Sequence, residues 1–236
     1  MIGWRAKLGF ILPSINTVVE PEMAKMAPPG VSAHFARARS ENDTEEELVR
    51  MAEESPKAAR ELADAEVDII AFACTGASFL KGPGYDEKIE GIIRNEVGIP
   101  AVTTSTAVIE ALKHKGMRRI VLASPYEDWL NQREAVFFKA HGIEILDMKG
   151  LGITDVHIAD VPPERVYKLA RGLVRPDMDG VFVSCTDFRT AEILEVLESD
   201  VGKPVVSSNQ ATLWAMLKRL NIKTPIEGFG SLLREL

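Results

Sequence analysis

Two stretches of the same design stand far apart in the chain: Val67-Asp68-Ile69-Ile70-Ala71-Phe72-Ala73-Cys74-Thr75 and Met178-Asp179-Gly180-Val181-Phe182-Val183-Ser184-Cys185-Thr186. Each sets an Asp six residues before a Cys, fills the gap with mostly apolar residues and ends on Thr. A short apolar run of this kind reads as a strand buried on both faces, as parallel sheets require. Cys74 and Cys185 are the only two cysteines. A run repeated in register belongs to a repeated unit, and the two thiols are expected to face each other across one site.

The flanking segments repeat in the same order. Ile120 to Tyr126 overlays Leu8 to Ser14, with Pro125 falling on Pro13, and Val201 to Ser208 overlays Val97 to Thr104, with Pro204 on Pro100. Three matches in one order imply an internal duplication. Strands separated by helical patterns argue for βαβ units, so the fold class is α/β: two similar parallel-sheet halves related by a pseudo-twofold. The first half is read as residues 1–105 plus 212–236, the second as residues 106–211. Helices are expected from Glu20, from a cap at Asp43 or Thr44 to about Ala65, from Tyr85 to Asn95, from Ala107 to Lys115 and from Ala211 to Leu220. Gly76, Gly82 and Gly84 read as one flexible loop, and the tail from Thr224 to Leu236 as packing back on the first half.

Composition removes several function classes. The chain of 236 residues carries a net charge of −7, which leaves no basic footprint for nucleic acid or an anionic membrane surface. The apolar run within Met1 to Leu12 is too short for a secretory leader, and no run reaches membrane-spanning length, so a cytoplasmic protein is expected. That compartment keeps thiols reduced, which points Cys74 and Cys185 to chemistry or burial rather than a disulfide. His34, His114, His141 and His157 are scattered with no ligand spacing, and no metal site is expected.

Functional loops of open parallel sheets lie at the carboxyl ends of the strands. Both cysteines, together with Ser14, Asn16, Thr75, Thr103, Thr104, Ser124, Thr186, Ser207 and Ser208, sit at such ends in this reading. A thiol there, close to the start of the next helix, has its thiolate favoured by backbone N–H groups and the helix dipole. A cysteine on an apolar strand is more often a packing residue, but paired placement in a duplicated unit reverses that preference. Two opposed thiols can move a proton from one face of a small carbon acid to the other, or one can add to a double bond while the other protonates. The hydroxyls and amides suit a carboxylate or a developing enolate. Asp68 and Asp179 fall at the opposite end of the strands and are assigned to turns.

The chain resembles the aspartate/glutamate racemase superfamily, within it the branch of maleate cis-trans isomerase and arylmalonate decarboxylase. The resemblance is carried by Gly9 to Thr17 with Glu20, Cys74-Thr75, Ser184-Cys185-Thr186, Ser124-Pro125-Tyr126 with Leu130-Asn131, Gly150-Leu151-Gly152-Ile153 and Pro204 to Ser208. It implies a cofactor-independent isomerase of a small unsaturated dicarboxylate, with Cys74 adding to the alkene and Cys185 donating the proton. Ser14, Asn16, Thr75, Tyr126 and Thr186 would hold the substrate, and a homo-oligomer is implied. Val156 falls where the isomerases carry a carboxylate-binding Asn, while Cys74 stands where the decarboxylase has Gly. An amino-acid or hydantoin racemase, an arylmalonate-type decarboxylase and a non-catalytic carboxylate-binding protein remain the alternatives.

Overall fold

The computed structural model describes residues 2–154 and 156–236. In chain order the elements are β1 (Ala6–Pro13), α1 (Val19–Met26), β2 (Val31–Ala38), α2 (Glu45–Asp64), β3 (Ile69–Phe72), α3 (Thr75–Phe79), α4 (Tyr85–Val97), β4 (Ala101–Thr103) and α5 (Thr104–His114). They continue as β5 (Arg119–Ala123), α6 (Asp128–Ala140), β6 (Glu144–Lys149), α7 (Pro163–Gly172), β7 (Gly180–Val183), α8 (Leu194–Val201), β8 (Val205–Ser207), α9 (Ser208–Arg219) and α10 (Ser231–Arg234). The strands form two parallel sheets of identical order, β2-β1-β3-β4 and β6-β5-β7-β8. The apolar repeats are therefore the central strands: Leu8 pairs with Ile69 in one sheet and Ile120 with Gly180 in the other.

Asp68 and Asp179 do the same work at the amino ends of β3 and β7. Asp68 accepts from Lys7 N at 2.7 Å, and Asp179 accepts from Arg119 N at 2.7 Å. The seam between the halves is α5 against α9, where small side chains such as Ala107, Ala111, Ala211 and Ala215 are buried. Thr104 and Thr212 share a hydroxyl bond of 3.0 Å across it, and Arg219 grips Glu110 with two N–H groups. Thr103 and Ser207 cap these helices in the same way, each accepting from the backbone N–H three residues on.

One expectation is corrected and two are made specific. No flexible loop follows Cys74, because the chain turns at once into α3, whose Ser78 hydroxyl bonds Ser105 and the carbonyls of Cys74 and Thr75. The turn comes later, at Gly82 and Gly84, both with φ near +84°. Thr44 rather than Asp43 caps α2, accepting from Glu47 N. The tail packs on α9 and β8, where Arg234 pairs with Glu195 and Ser231 N donates to Glu198. It is also tied to Arg5 through Thr224 and to Lys115 through Glu235.

Two buried acids occupy matching places, because the overlay that sets Pro125 on Pro13 also sets Glu134 on Glu22. Glu22 staples the halves: it accepts from Thr190 N at 2.6 Å, Ala191 N at 2.7 Å and Asn209 Nδ2 at 2.7 Å. Burial nonetheless raises its pKa against those bonds. Glu134 accepts only from the Ser184 hydroxyl, at 2.6 Å, and its Oε2 is buried with no partner among the described residues. Burial pushes it up to about 8.

Glu22→Ala is expected to lower the unfolding free energy by about 3–5 kcal/mol in urea titrations, since it strands three donors worth about 1–3 kcal/mol each. For Glu134 the sign is opposite in character. A folded pKa of about 8 against an ordinary 4.5 means the folded state holds its proton longer, so stability is full below the ordinary value and falls as pH rises toward 8. The isosteric, neutral Glu134→Gln is therefore expected to match wild type in acid and to exceed it by about 5 kcal/mol in alkali. Melting curves across that range that stay parallel overturn this.

Candidate active site

Three hydrogen bonds draw the carboxyl ends of the two sheets together. Thr186 Oγ1 donates to Ala73 O at 3.1 Å, Asn16 Nδ2 donates to Thr186 Oγ1 at 3.2 Å, and Thr75 Oγ1 donates to Ser208 Oγ at 2.9 Å. Ser208 Oγ also receives Cys185 N at 3.1 Å. Both cysteines thereby line one cavity, with Pro13, Ile15, Asn16, Asp43, Thr75, Gly76, Tyr126, Ile158, Thr186 and Asp187. The room for the centre of a water molecule is about 20 Å³, where one water needs about 10–15 Å³. The closed cavity admits about one water, so a four-carbon ligand requires it to widen.

Cys74 and Cys185 are free thiols and buried. Backbone N–H groups reach both sulfurs: Gly76 and Ala77 act on Cys74, and Asp187 N lies 3.4 Å from Cys185 Sγ. The expected ease of forming a thiolate is nevertheless overturned. Burial first, then the charge of Asp43, pushes the Cys74 thiol up to about 12 despite the helix start. Burial followed by Asp43 and Asp187 raises Cys185 as well, against its bond to Tyr126. In the closed site both cysteines rest as thiols.

The pair is alike in spacing but not in backbone. Cys74 is extended, at φ −141°, and opens α3. Cys185 has φ +91°, a region that costs a non-glycine residue about 1–3 kcal/mol and persists where neighbours over-determine it. Here those neighbours are Ser208 and Asp187 N.

Of the residues expected to hold a substrate, Asn16, Thr75, Tyr126 and Thr186 line the cavity and Ser14 does not. The Ser14 hydroxyl is spent on the next loop, donating to Ser40 O and accepting from Ser40 N. Asn16 Oδ1 accepts from Val18 N and Val19 N, which fixes its Nδ2 toward Thr186. Tyr126 is held as a neutral phenol: burial, then Cys185, moves its pKa well above the ordinary value. Its backbone is pinned by contact with Gly150, where an added Cβ would come within 2.0 Å of Tyr126 O.

Four lining residues escape sequence reading. Asp43 looks like a helix cap, yet its half-buried side chain faces the thiols, and burial with Asp187 nearby brings it to about 7. Asp187, two residues after Cys185, accepts from Thr17 N at 2.9 Å and is brought by burial to about 6. Gly76 enters because the helix begins at once. Val156 is half exposed, and the residue its short 3₁₀ turn, Val156–Ile158, sends into the cavity is Ile158. Among the described residues no group of three or more His, Cys, Asp or Glu is placed to hold a metal ion, and no helix is long and apolar enough to cross a membrane.

The arylmalonate decarboxylase family pattern matches residues 8–233. The maleate isomerase of Geobacillus stearothermophilus is 32% identical over 96% of each chain. The arylmalonate decarboxylase of Bordetella bronchiseptica is 32% identical over 66% of each. A crystal structure of Nocardia farcinica maleate cis-trans isomerase, a cysteine-to-serine mutant with a covalently bound succinylcysteine intermediate, superposes with a TM-score of 0.94 at 26% identity, covering 98% of this chain and 99% of that one. With two like-ordered sheets, a paired-thiol cavity between them and a match spanning nearly its whole length, the chain belongs to the arylmalonate decarboxylase family.

Proposed function

We propose that the protein is a cis-trans isomerase of maleate or a close relative, working through a cysteine adduct. The convergence of Cys74 and Cys185 on one cavity carries this reading, supported by relatives named maleate isomerase that match over nearly their whole length. Cys74 gives its proton to solvent in the widened cavity and reacts as the thiolate. Its sulfur lone pair forms the S–C bond, the π pair moves to the second alkene carbon, and Cys185 gives that carbon a proton and becomes a thiolate. Rotation about the new single bond follows. Cys185 then takes the proton back, the S–C bond breaks and the trans alkene leaves, with both sulfurs restored.

The cycle is redox-neutral and returns every atom, so the reading includes no metal or organic cofactor. Asn16, Thr75, Tyr126 and Thr186 supply neutral donors for a carboxylate. Burial is the largest cause of the raised Cys74 pKa, so solvent and substrate entering a widened cavity lower it, and the Gly76 and Ala77 N–H groups then favour the thiolate. The proposal extends to a cytoplasmic homo-oligomer that binds neither nucleic acid nor membrane. Free thiols support the compartment, and the assembly rests on family resemblance alone. A second reading, a two-base amino-acid racemase, draws on Asp43 and Asp187 as acids suited to an ammonium group.

Cys74→Ser and Cys185→Ser are each expected to lower turnover of maleate by orders of magnitude in proton NMR assays, because the pair works as a unit. Near-normal rate in either single mutant sinks the two-thiol cycle. Cys185→Ser incubated with maleate is further expected to gain the mass of one maleic acid on the peptide holding Cys74. Solvent deuterium appearing at Cα of an amino acid, with no adduct, selects the racemase instead.

A further inference from the structure

Beside its neutral donors the cavity carries two acids. Asp43 and Asp187 line it, and among the described residues no Lys or Arg does. The Asp43 carboxylate has no hydrogen-bond donor among the described residues, its loop being held through the backbone, where Asp43 N donates to Thr154 O at 2.8 Å. Asp187 is 5% exposed, and its Oδ2 is buried without a partner among them. Asp43 lines the same small cavity as Cys74 and Cys185, and its charge acts on both thiols. The neighbouring 3₁₀ turn adds Ile158, which offers no donor.

A substrate with one carboxylate is served by the neutral donors Asn16, Thr75, Tyr126 and Thr186. A second carboxylate would meet Asp43 as a like charge in a site shielded from water, where such repulsion is strong. An amide in its place keeps the alkene conjugated to a carbonyl, so thiolate addition proceeds as before, and it brings two N–H donors. One matches Asp43, and the other matches the orphan oxygen of Asp187.

We propose that Asp43 sets the substrate class of this site: its carboxylate accepts a hydrogen bond from an N–H donor, so the site takes a cis-unsaturated monocarboxylate with a neutral amide as its second group in preference to the dicarboxylate. The inference rests on the isomerase reading.

The test compares kcat/KM for maleate and for its half-amide by proton NMR, in alkaline buffer where Asp43 is ionised, with wild type, Asp43→Asn and Asp43→Ala. Wild type is expected to favour the half-amide at least tenfold. Asn supplies an N–H for a carboxylate and Ala removes the charge, so both variants are expected to cut that preference at least tenfold by gaining on maleate. Thermal melts identify a variant that fails to fold, and the wild-type preference stands as a test without it. Equal or better use of maleate by wild type, or a preference unchanged in both folded variants, overturns the inference and leaves the isomerase reading intact. Turnover of neither alkene by wild type overturns both.

Discussion

The hydrogen bond from Thr186 Oγ1 to Ala73 O is the contact on which the site depends, because it ties the residue after one thiol to the residue before the other. Buried polar groups must find partners, and the loops at the ends of β3 and β7 find theirs across the interface. Asn16 completes the same tie from β1, and Ser208 joins Thr75 to the Cys185 backbone. Each half leaves the other's loops unsatisfied when alone. The cleft is therefore a property of the pair of halves, which meet along the seam of α5 on α9.

This mutual satisfaction conflicts with reactivity. The donors that would greet a carboxylate are bonded to one another, the cavity has room for about one water, and burial drives the thiols toward their neutral form. A site closed in this way protects its sulfurs from oxidants, which attack thiolates and need access. Reactivity then belongs to the widened form, in which entry of a polar ligand changes both the solvation of Cys74 and the bonding of Thr75, Thr186 and Asn16.

Much of the architecture was legible in the sequence because parallel central strands must be apolar on both faces, so β1, β3, β5 and β7 stand out as runs and their repetition shows the duplication. Asp68 and Asp179 were placed at the far end of the strands by spacing alone. What stayed hidden depends on contacts distant in sequence. α3 contains Gly76 and Ser78, poor helix formers, and is held by Ser78 bonding to Ser105. Asp43 beside Thr44 offers two local caps, and only the tertiary structure turns one of them toward the thiols. Val156 and Ile158 share a single short turn, where a shift of two positions decides which side chain is inside. Glu22 and Glu134 match in position, yet their different surroundings, two backbone N–H groups, an amide and a hydroxyl against one hydroxyl, cannot be read from either segment.

The unequal backbones of the two cysteines carry a consequence for how such a chain is assembled. In a symmetric dimer of identical single halves, the positive φ at one thiol would be imposed on both, and its strain counted twice at the same cavity. Joining the halves in one covalent chain removes that constraint. Cys185 can then hold a strained conformation while Cys74 opens an ordinary helix, so chemically identical groups acquire different reach and different partners.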